Sequence, residues 1–171
     1  MLNSLYGWTG KDPKKAQELI LQLSDTMRYS IYEGQKEFVT LAEEIEYLKK
    51  YMDLHKNRYL KEIAIDFENN LIDDSFRITP LLFIILVENA FKHGVESLRE
   101  NAFIKIEISN NKNDVSFTIE NNFDIEKPLT DTGIGMKNLQ RRLELIHPEK
   151  HSFNFGKEND IFKANLTITL S

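Results

Sequence analysis

The chain has 171 residues, room for one medium domain or a small domain with a helical extension. Its apolar content of 41% is ordinary for a globular protein, and a net charge of -5 lacks the basic excess of a direct nucleic-acid binder. The absence of cysteine excludes disulfides, thiolate catalysis and cysteine-type zinc sites, and the longest apolar run, Leu81 to Val87, is far too short to span a bilayer.

The opening MLNSLYGW has neither the basic stretch nor the apolar core of a secretory signal. Leu2, Leu5, Tyr6 and Trp8 read instead as the tail of an element already under way, so a piece of a longer protein is expected. Asp12-Pro13 reads as a helix start, Asp as N-cap and Pro at the first helical position. Ala16, Leu19, Ile20, Leu23, Met27 and Ile31 follow at helical spacing, until Gly34. Thr40 to Glu43 forms a capping box. Behind it Leu41, Ile45, Leu48, Met52, His55 and Tyr59 make the seam of a helix packed on helices. The first 60 residues are therefore predicted as a helical hairpin whose apolar stripes form a core or a dimer surface.

After Lys61 the pattern changes. Ile63, Ile65 and Phe67 alternate as a short strand, and 69–75 is a polar loop. Thr79-Pro80 is expected to start an apolar helix, with Gly94 as its C-terminal glycine. Phe103 to Ile108 and Val115 to Ile119 flank the turn NNKND as a hairpin. A loop runs from Asn121 to Thr132 through Pro128. Gly133-Ile134-Gly135 opens another helix, with Met136, Leu139, Leu143 and Ile146 inward and Pro148 closing it. Two last strands, around Phe153-Phe155 and Phe162 to Leu170, flank a turn at Lys157 to Asp160. Hairpins with interspersed helices give an α+β fold, a two-layer α/β sandwich with helices on one face of a mostly antiparallel sheet.

The chemistry gathers at LVENAFKHG, Leu86 to Gly94. Burying a carboxylate and an amide without partners costs several kcal/mol, so these groups are satisfied internally or offered to a ligand. On a helix Asn89 and His93 lie four apart, as do Glu88 and Lys92, at one end. Mg²⁺ keeps several waters and takes few protein ligands besides phosphate oxygens; the Asn89 amide oxygen suits it. Glu88 could hold a metal-bound water or act as a base, Lys92 adds a cation, and His93 donates to a phosphate or caps the helix. The bland alternative is a solvated helix end with Glu88 paired to Lys92. A second element, Thr132-Gly133-Ile134-Gly135-Met136-Lys137-Asn138, joins glycines to a helix N-terminus, where free N–H groups suit a phosphate. A third is Asn121 at a strand end, whose side-chain oxygen can accept from the exocyclic amine of adenine. His55 is expected packed; His147, His151, Arg141 and Arg142 are expected solvated.

In this order, the three elements resemble the Bergerat/GHKL ATP-binding fold of gyrases, Hsp90, histidine kinases and MutL. VENAFKHG is similar to the N-box and TGIGMKN to the second glycine box. LNSLYG, KAQELILQLSDTMRYSIY and VTLAEEIEYLKKYMDLHKNRY narrow the resemblance to LytS/YehU-type sensor histidine kinases, over nearly the whole chain. The resemblance implies a helical dimerisation and phosphotransfer-like region at 1–60 and an ATP-binding catalytic domain at 61–171. It implies ATP and Mg²⁺ as cofactors, Glu88 and Asn89 as catalytic residues, and Asn89 as the metal ligand. Lys92, His93, Asn121, Thr132, Gly133, Gly135 and Asn138 would bind the nucleotide, with 123–132 as a lid. The family's phosphorylated histidine would lie about five residues before Met1, so the fragment alone is not expected to autophosphorylate. Partners implied are a response-regulator receiver domain and a second copy, with any membrane contact through an N-terminal sensor part. Three departures stand out: Asn121 for the adenine-reading aspartate, Phe123 for a glycine, and Ala164-Asn165 for a Gly-Thr pair. They leave a degenerate, non-catalytic binding module as the alternative.

Overall fold

The computed structural model describes residues 2–59, 61–126 and 134–170. The elements in order are α1 (Leu2–Lys11), α2 (Pro13–Tyr32), a 3₁₀ turn (Glu33–Gln35), β1 (Val39–Thr40), α3 (Leu41–Lys56), β2 (Ile63–Asn70), β3 (Arg77–Ile78) and α4 (Ile84–Asn89). A π-helical turn (Ala90–Val95), β4 (Ala102–Asn110), β5 (Asp114–Asn122), α5 (Ile134–Ile146), β6 (His151–Glu158) and β7 (Ile161–Thr169) follow. They form two compact units, Met1–Leu60 with Ser75–Leu81, and Lys61–Asp74 with Leu82–Ser171.

The first unit holds the expected hairpin of α2 and α3, and a further helix, α1. Leu5 of α1 is buried in a cluster with Leu19 and Leu54, against which Trp8 and Leu23 pack. Asp12 caps α2 by accepting the Lys15 N–H at 3.0 Å. The Thr40–Glu43 capping box is present in both directions, and its bonds from the Thr40 N–H and hydroxyl hold the Glu43 carboxyl below its usual range. The α3 seam is buried at Leu41, Ile45, Leu48 and Met52. The α2 stripe is not continuous core: Ala16 and Leu19 are buried, whereas Ile20, Met27 and Ile31 are about half exposed. Glu44 is fully buried, its carboxylate accepting the Tyr29 hydroxyl at 3.3 Å and the Leu81 N–H at 3.1 Å. Burial and that carboxylate push the Tyr29 phenol far above its ordinary value.

In the second unit the strands run in the order β2-β4-β5-β7-β6, with β2 and β4 parallel and the other pairs antiparallel. The register aligns Ile65, Ile104, Asn121, Phe162 and Lys157 across one face. Along that face Ile106, Ile119 and Ala164, then Ile108, Phe117 and Leu166, are buried. The period-two alternation thus builds the core on one side. The other side is polar, with Glu68–Lys105 and Glu120–Lys163 pairs at 3.1 and 2.5 Å. The α4 segment sits on the apolar face, Phe83 stacked on Phe117 with ring centres 4.5 Å apart. Met136, Leu139 and Leu143 of α5 are buried, while Ile146 is 40% exposed rather than inward. This is the two-layer α/β arrangement of the GHKL fold.

Some boundaries differ from the sequence reading. Strand β2 continues through Asn70, since Asn69 and Asn70 pair with Ile108 and Ser109. The apolar helix starts at Ile84, not at Pro80. Leu81 has a φ of 60°, and its N–H goes to Glu44, so the chain cannot enter the helix there. His147 and His151 are partly buried rather than fully solvated; the His151 Nδ1 lies 2.7 Å from the His147 carbonyl oxygen, and burial lowers the His147 pKa.

Candidate nucleotide site

Gly94 does not terminate the helix. Winding passes from α to π at Ala90 and runs through Val95, and the Glu96 N–H donates to Phe91 O at 2.9 Å, a bond spanning five residues. No glycine has a positive φ among the described residues, so Gly94 is not a left-handed cap. It is glycine because of a neighbour. A Cβ there would stand 2.8 Å from the Asn122 carbonyl oxygen and 2.9 Å from the Asn121 amide carbon. Single π turns inside helices recur at functional sites, and this one is pinned. The Lys61 ammonium donates to the carbonyls of Val95 and Leu98, the latter at 2.5 Å. The Ser97 hydroxyl donates to Gly94 O at 2.7 Å and accepts the Asp124 N–H at 3.0 Å.

Asn121, opposite, is 1% exposed. Its Nδ2 donates to the Asn122 carbonyl at 3.0 Å, while its Oδ1 has no hydrogen-bond partner among the described residues. A buried acceptor left unsatisfied costs about 1–3 kcal/mol. It lines a cavity of about 170 Å³ shared with Asn89, His93, Phe123, Phe155, Gly156, Lys157 and Phe162. A neighbouring cleft of about 270 Å³ is lined by Ile85, Glu88, Asn89, Lys92, His93, Ile134, Gly135 and Met136. Asn89 and His93 face both hollows. Among the described residues, a Cβ on Gly135 would meet nothing within 4 Å.

Glu88, Asn89, Lys92, His93 and Gly135 are thus brought to one cleft, and Asn121 to the cavity adjoining it. Asn138 is exposed on α5, away from both linings. Thr132 and Gly133 lie outside the described residues, as does most of the lid expected at 123–132. Glu88 and Lys92 form no ion pair among the described residues. The π turn explains this, since widening shifts side-chain stacking away from the i, i+4 spacing of an α-helix. Glu88 is exposed, and partial desolvation of its carboxyl still raises its pKa above the ordinary carboxylate value. A wider depression of about 550 Å³ lies on the polar sheet face, but its Glu120 and Lys163 already pair with each other.

Sequence reasoning missed the wall formed by the β6–β7 hairpin. Phe155 is 46% exposed, close to Phe162 at 6.3 Å between ring centres, and Lys157 lies over the Phe123 ring at 5.1 Å. The signal was Phe153 and Phe155 in alternation, read there only as strand.

Comparison with known proteins places this arrangement. The family model described as histidine kinase matches residues 1–63. The catalytic domain of histidine kinase ThkA superposes with a TM-score of 0.51 at 20% identity, over 78% of this chain and 96% of that one. ThkA in complex with the response regulator TrrA gives 0.54 at 14% identity, over 98% of this chain and 57% of that one. The α/β unit thus has the fold of histidine-kinase catalytic domains, and the histidine kinase model matches the helical region before it. Among relatives, the sensor protein LytS of Staphylococcus haemolyticus is 28% identical over 170 residues, covering 90% of this chain and 29% of that protein. The sensor histidine kinase BtsS of Escherichia coli is 25% identical, covering 99% of this chain and 30% of that protein. The chain is similar to part of LytS-type sensor histidine kinases, and spans less than a third of those relatives' length.

Proposed function

We propose that this chain binds Mg²⁺ and ATP and serves as the catalytic part of a two-component sensor kinase. The observation that carries the reading is the position of Asn89, on the lining of both the cavity that Asn121 lines and the cleft that Gly135 lines. The donor set fits the ligand. The orphaned Asn121 oxygen asks for a donor such as the adenine amine. Asn89 would hold Mg²⁺, which when bound neutralises phosphate charge. Lys92 and His93, which line the cleft, would meet the phosphates, and Glu88, with its raised pKa, would orient a water or take a proton. Gly135, and with it Thr132, Gly133 and Asn138 as the resemblance implies, would bind the phosphates near the start of α5. The domain at 61–171 is then catalytic, and the region at 1–60 serves dimerisation and phosphotransfer.

The acceptor in this reading is a histidine that the resemblance sets before residue 1; its ring nitrogen takes the terminal phosphoryl group and ADP leaves. An aspartate on a response regulator is the next acceptor. A second copy would cover the half-exposed Ile20, Met27 and Ile31 of α2. No described helix is long and apolar enough to cross a membrane; the proposed setting is the cytoplasmic portion of a kinase anchored elsewhere.

Calorimetric titration with ATP tests the reading. Binding should need Mg²⁺, and Asn89→Ala should weaken it about tenfold or more, about 1.4 kcal/mol. An absence of heat at protein concentrations matched to a Kd of about 1 mM would sink it in favour of a degenerate binding module, the reading that Asn121 and Phe123 keep alive.

A further inference from the structure

Two walls of the cavity come from different parts of the chain. The π turn brings His93 to the lining, and the end of β5 brings Asn121 and, just after the strand, Phe123. The Ser97 hydroxyl ties these walls together. It donates to Gly94 O at 2.7 Å and accepts the Asp124 N–H at 3.0 Å. The Ser97 N–H donates to the same Gly94 carbonyl at 3.1 Å, so the turn holds the residue whose side chain makes the tie. What the tie fixes is Phe123. The peptide before it gives its N–H to Asp160 O at 2.9 Å, in the turn between β6 and β7, and the peptide after it gives its N–H to Ser97. Peptide units are planar, so holding both units that flank a residue fixes its φ and ψ and with them the direction of its Cβ. The Asp124 carboxylate continues the anchoring by accepting the Glu126 N–H at 3.0 Å.

Phe123 is 7% exposed, with the Lys157 ammonium 5.1 Å from its ring centre. It lines a hollow of about 170 Å³. One benzene molecule occupies an apolar cavity of about 150 Å³, so a phenyl group turned inward would plug this hollow. We propose that Ser97 is a positioning residue of the nucleotide site, whose hydroxyl keeps the Phe123 ring in the wall of the cavity and out of the space a ligand needs. The inference rests on the nucleotide reading and adds to it a residue that touches no ligand. Without the hydroxyl, the Asp124 N–H loses its partner and the peptide after Phe123 is released. The cavity then divides its time between open and plugged forms, and the apparent affinity falls in proportion to the fraction that stays open.

The test is calorimetric titration with ATP and Mg²⁺, at a temperature where circular dichroism shows each variant folded. Ser97→Ala should weaken ATP binding about 3- to 10-fold. Ser97→Thr keeps the hydroxyl and should bind within about twofold of the unaltered protein, whereas Ser97→Val, with the shape of threonine and no hydroxyl, should fall with alanine. In a Phe123→Ala background there is no ring to misplace, so adding Ser97→Ala should change affinity by less than about twofold. That arm separates ring placement from a general weakening of the fold. Equal ATP affinity in all the Ser97 variants overturns the proposal and leaves the nucleotide reading standing. So does a full effect of Ser97→Ala in the Phe123→Ala background, or a threonine variant no better than valine. Loss of folding in both hydroxyl-free variants makes the bond a structural tie only and overturns the proposal as well. Failure of the unaltered protein to bind ATP overturns the nucleotide reading itself, and the role of Ser97 with it.

Discussion

Phe83 lies nearly flat on Phe117, with ring centres 4.5 Å apart and planes 8° from parallel, and both rings are fully buried. The pair joins the residue before α4 to the middle of the central sheet, so it sets the height of the site helix above the strands. Replacing Phe83 with alanine should cost about 3–5 kcal/mol of unfolding free energy, the range for a large aromatic truncated in a core. Urea denaturation measures it. A loss below about 1 kcal/mol would mean that α4 is held by its other contacts.

Lys61 performs a similar service at the far end of the same helix, capping the Val95 and Leu98 carbonyls with its ammonium. Lys61→Met keeps the stem and removes the donor. Because the group is only partly buried, the expected loss is about 1–2 kcal/mol, at the lower end for hydrogen bonds to charged groups. Amide hydrogen exchange should quicken from 90 to 98 before it does in β4 or β5. Uniform acceleration over the whole unit would contradict a local role.

Glu88 makes stability depend on pH. Its folded pKa is raised above the ordinary 4.5, chiefly by desolvation, so the folded state holds the proton more tightly than the unfolded chain. Stability from this group is full below the unfolded value and is lost as pH rises through the folded one. Glu88→Gln is uncharged at every pH. The variant should gain stability relative to the unaltered protein as pH rises from the unfolded value through the raised folded one. Thermal melts at several pH values report it, and a difference that stays constant with pH would refute it.

Thr40→Ala removes the hydroxyl half of the reciprocal cap at the start of α3 and leaves the bond from the residue-40 N–H to the Glu43 carboxylate. A loss of about 1 kcal/mol is expected, and Glu43, whose pKa is depressed chiefly by the Thr40 backbone and hydroxyl bonds, should titrate closer to its ordinary value. Chemical denaturation and a carboxylate NMR titration check the two halves separately. An unchanged Glu43 titration would count against the hydroxyl as one of its partners.

What could be read from the sequence was what local patterning controls. The caps at Asp12 and Thr40, the hairpin around NNKND and the alternation in β4, β5 and β7 each follow from residues close together in the chain. The resemblance supplied the GHKL fold, which periodicity alone could not have named. Gly94 was misread, because a glycine after a helical run has a local meaning, the cap, whereas its actual constraint comes from Asn121, 27 residues away. The late start of α4 was hidden for the same reason: Leu81 gives its N–H to Glu44, a partner that no helical period reveals. The aromatic wall of Phe155 and Phe162 depends on which strand β7 lies beside, and pairing across a sheet is not written in either strand alone.

The π turn from Ala90 to Val95 has one more consequence. Each residue in an α-helix turns the chain by about 100°, so deleting a single peptide unit there and letting the segment rewind would swing everything before it through more than a quarter of a circle. The aim of Asn89 is thereby tied to a surplus link in the backbone, and length alone, with every side chain intact, would be enough to point it elsewhere.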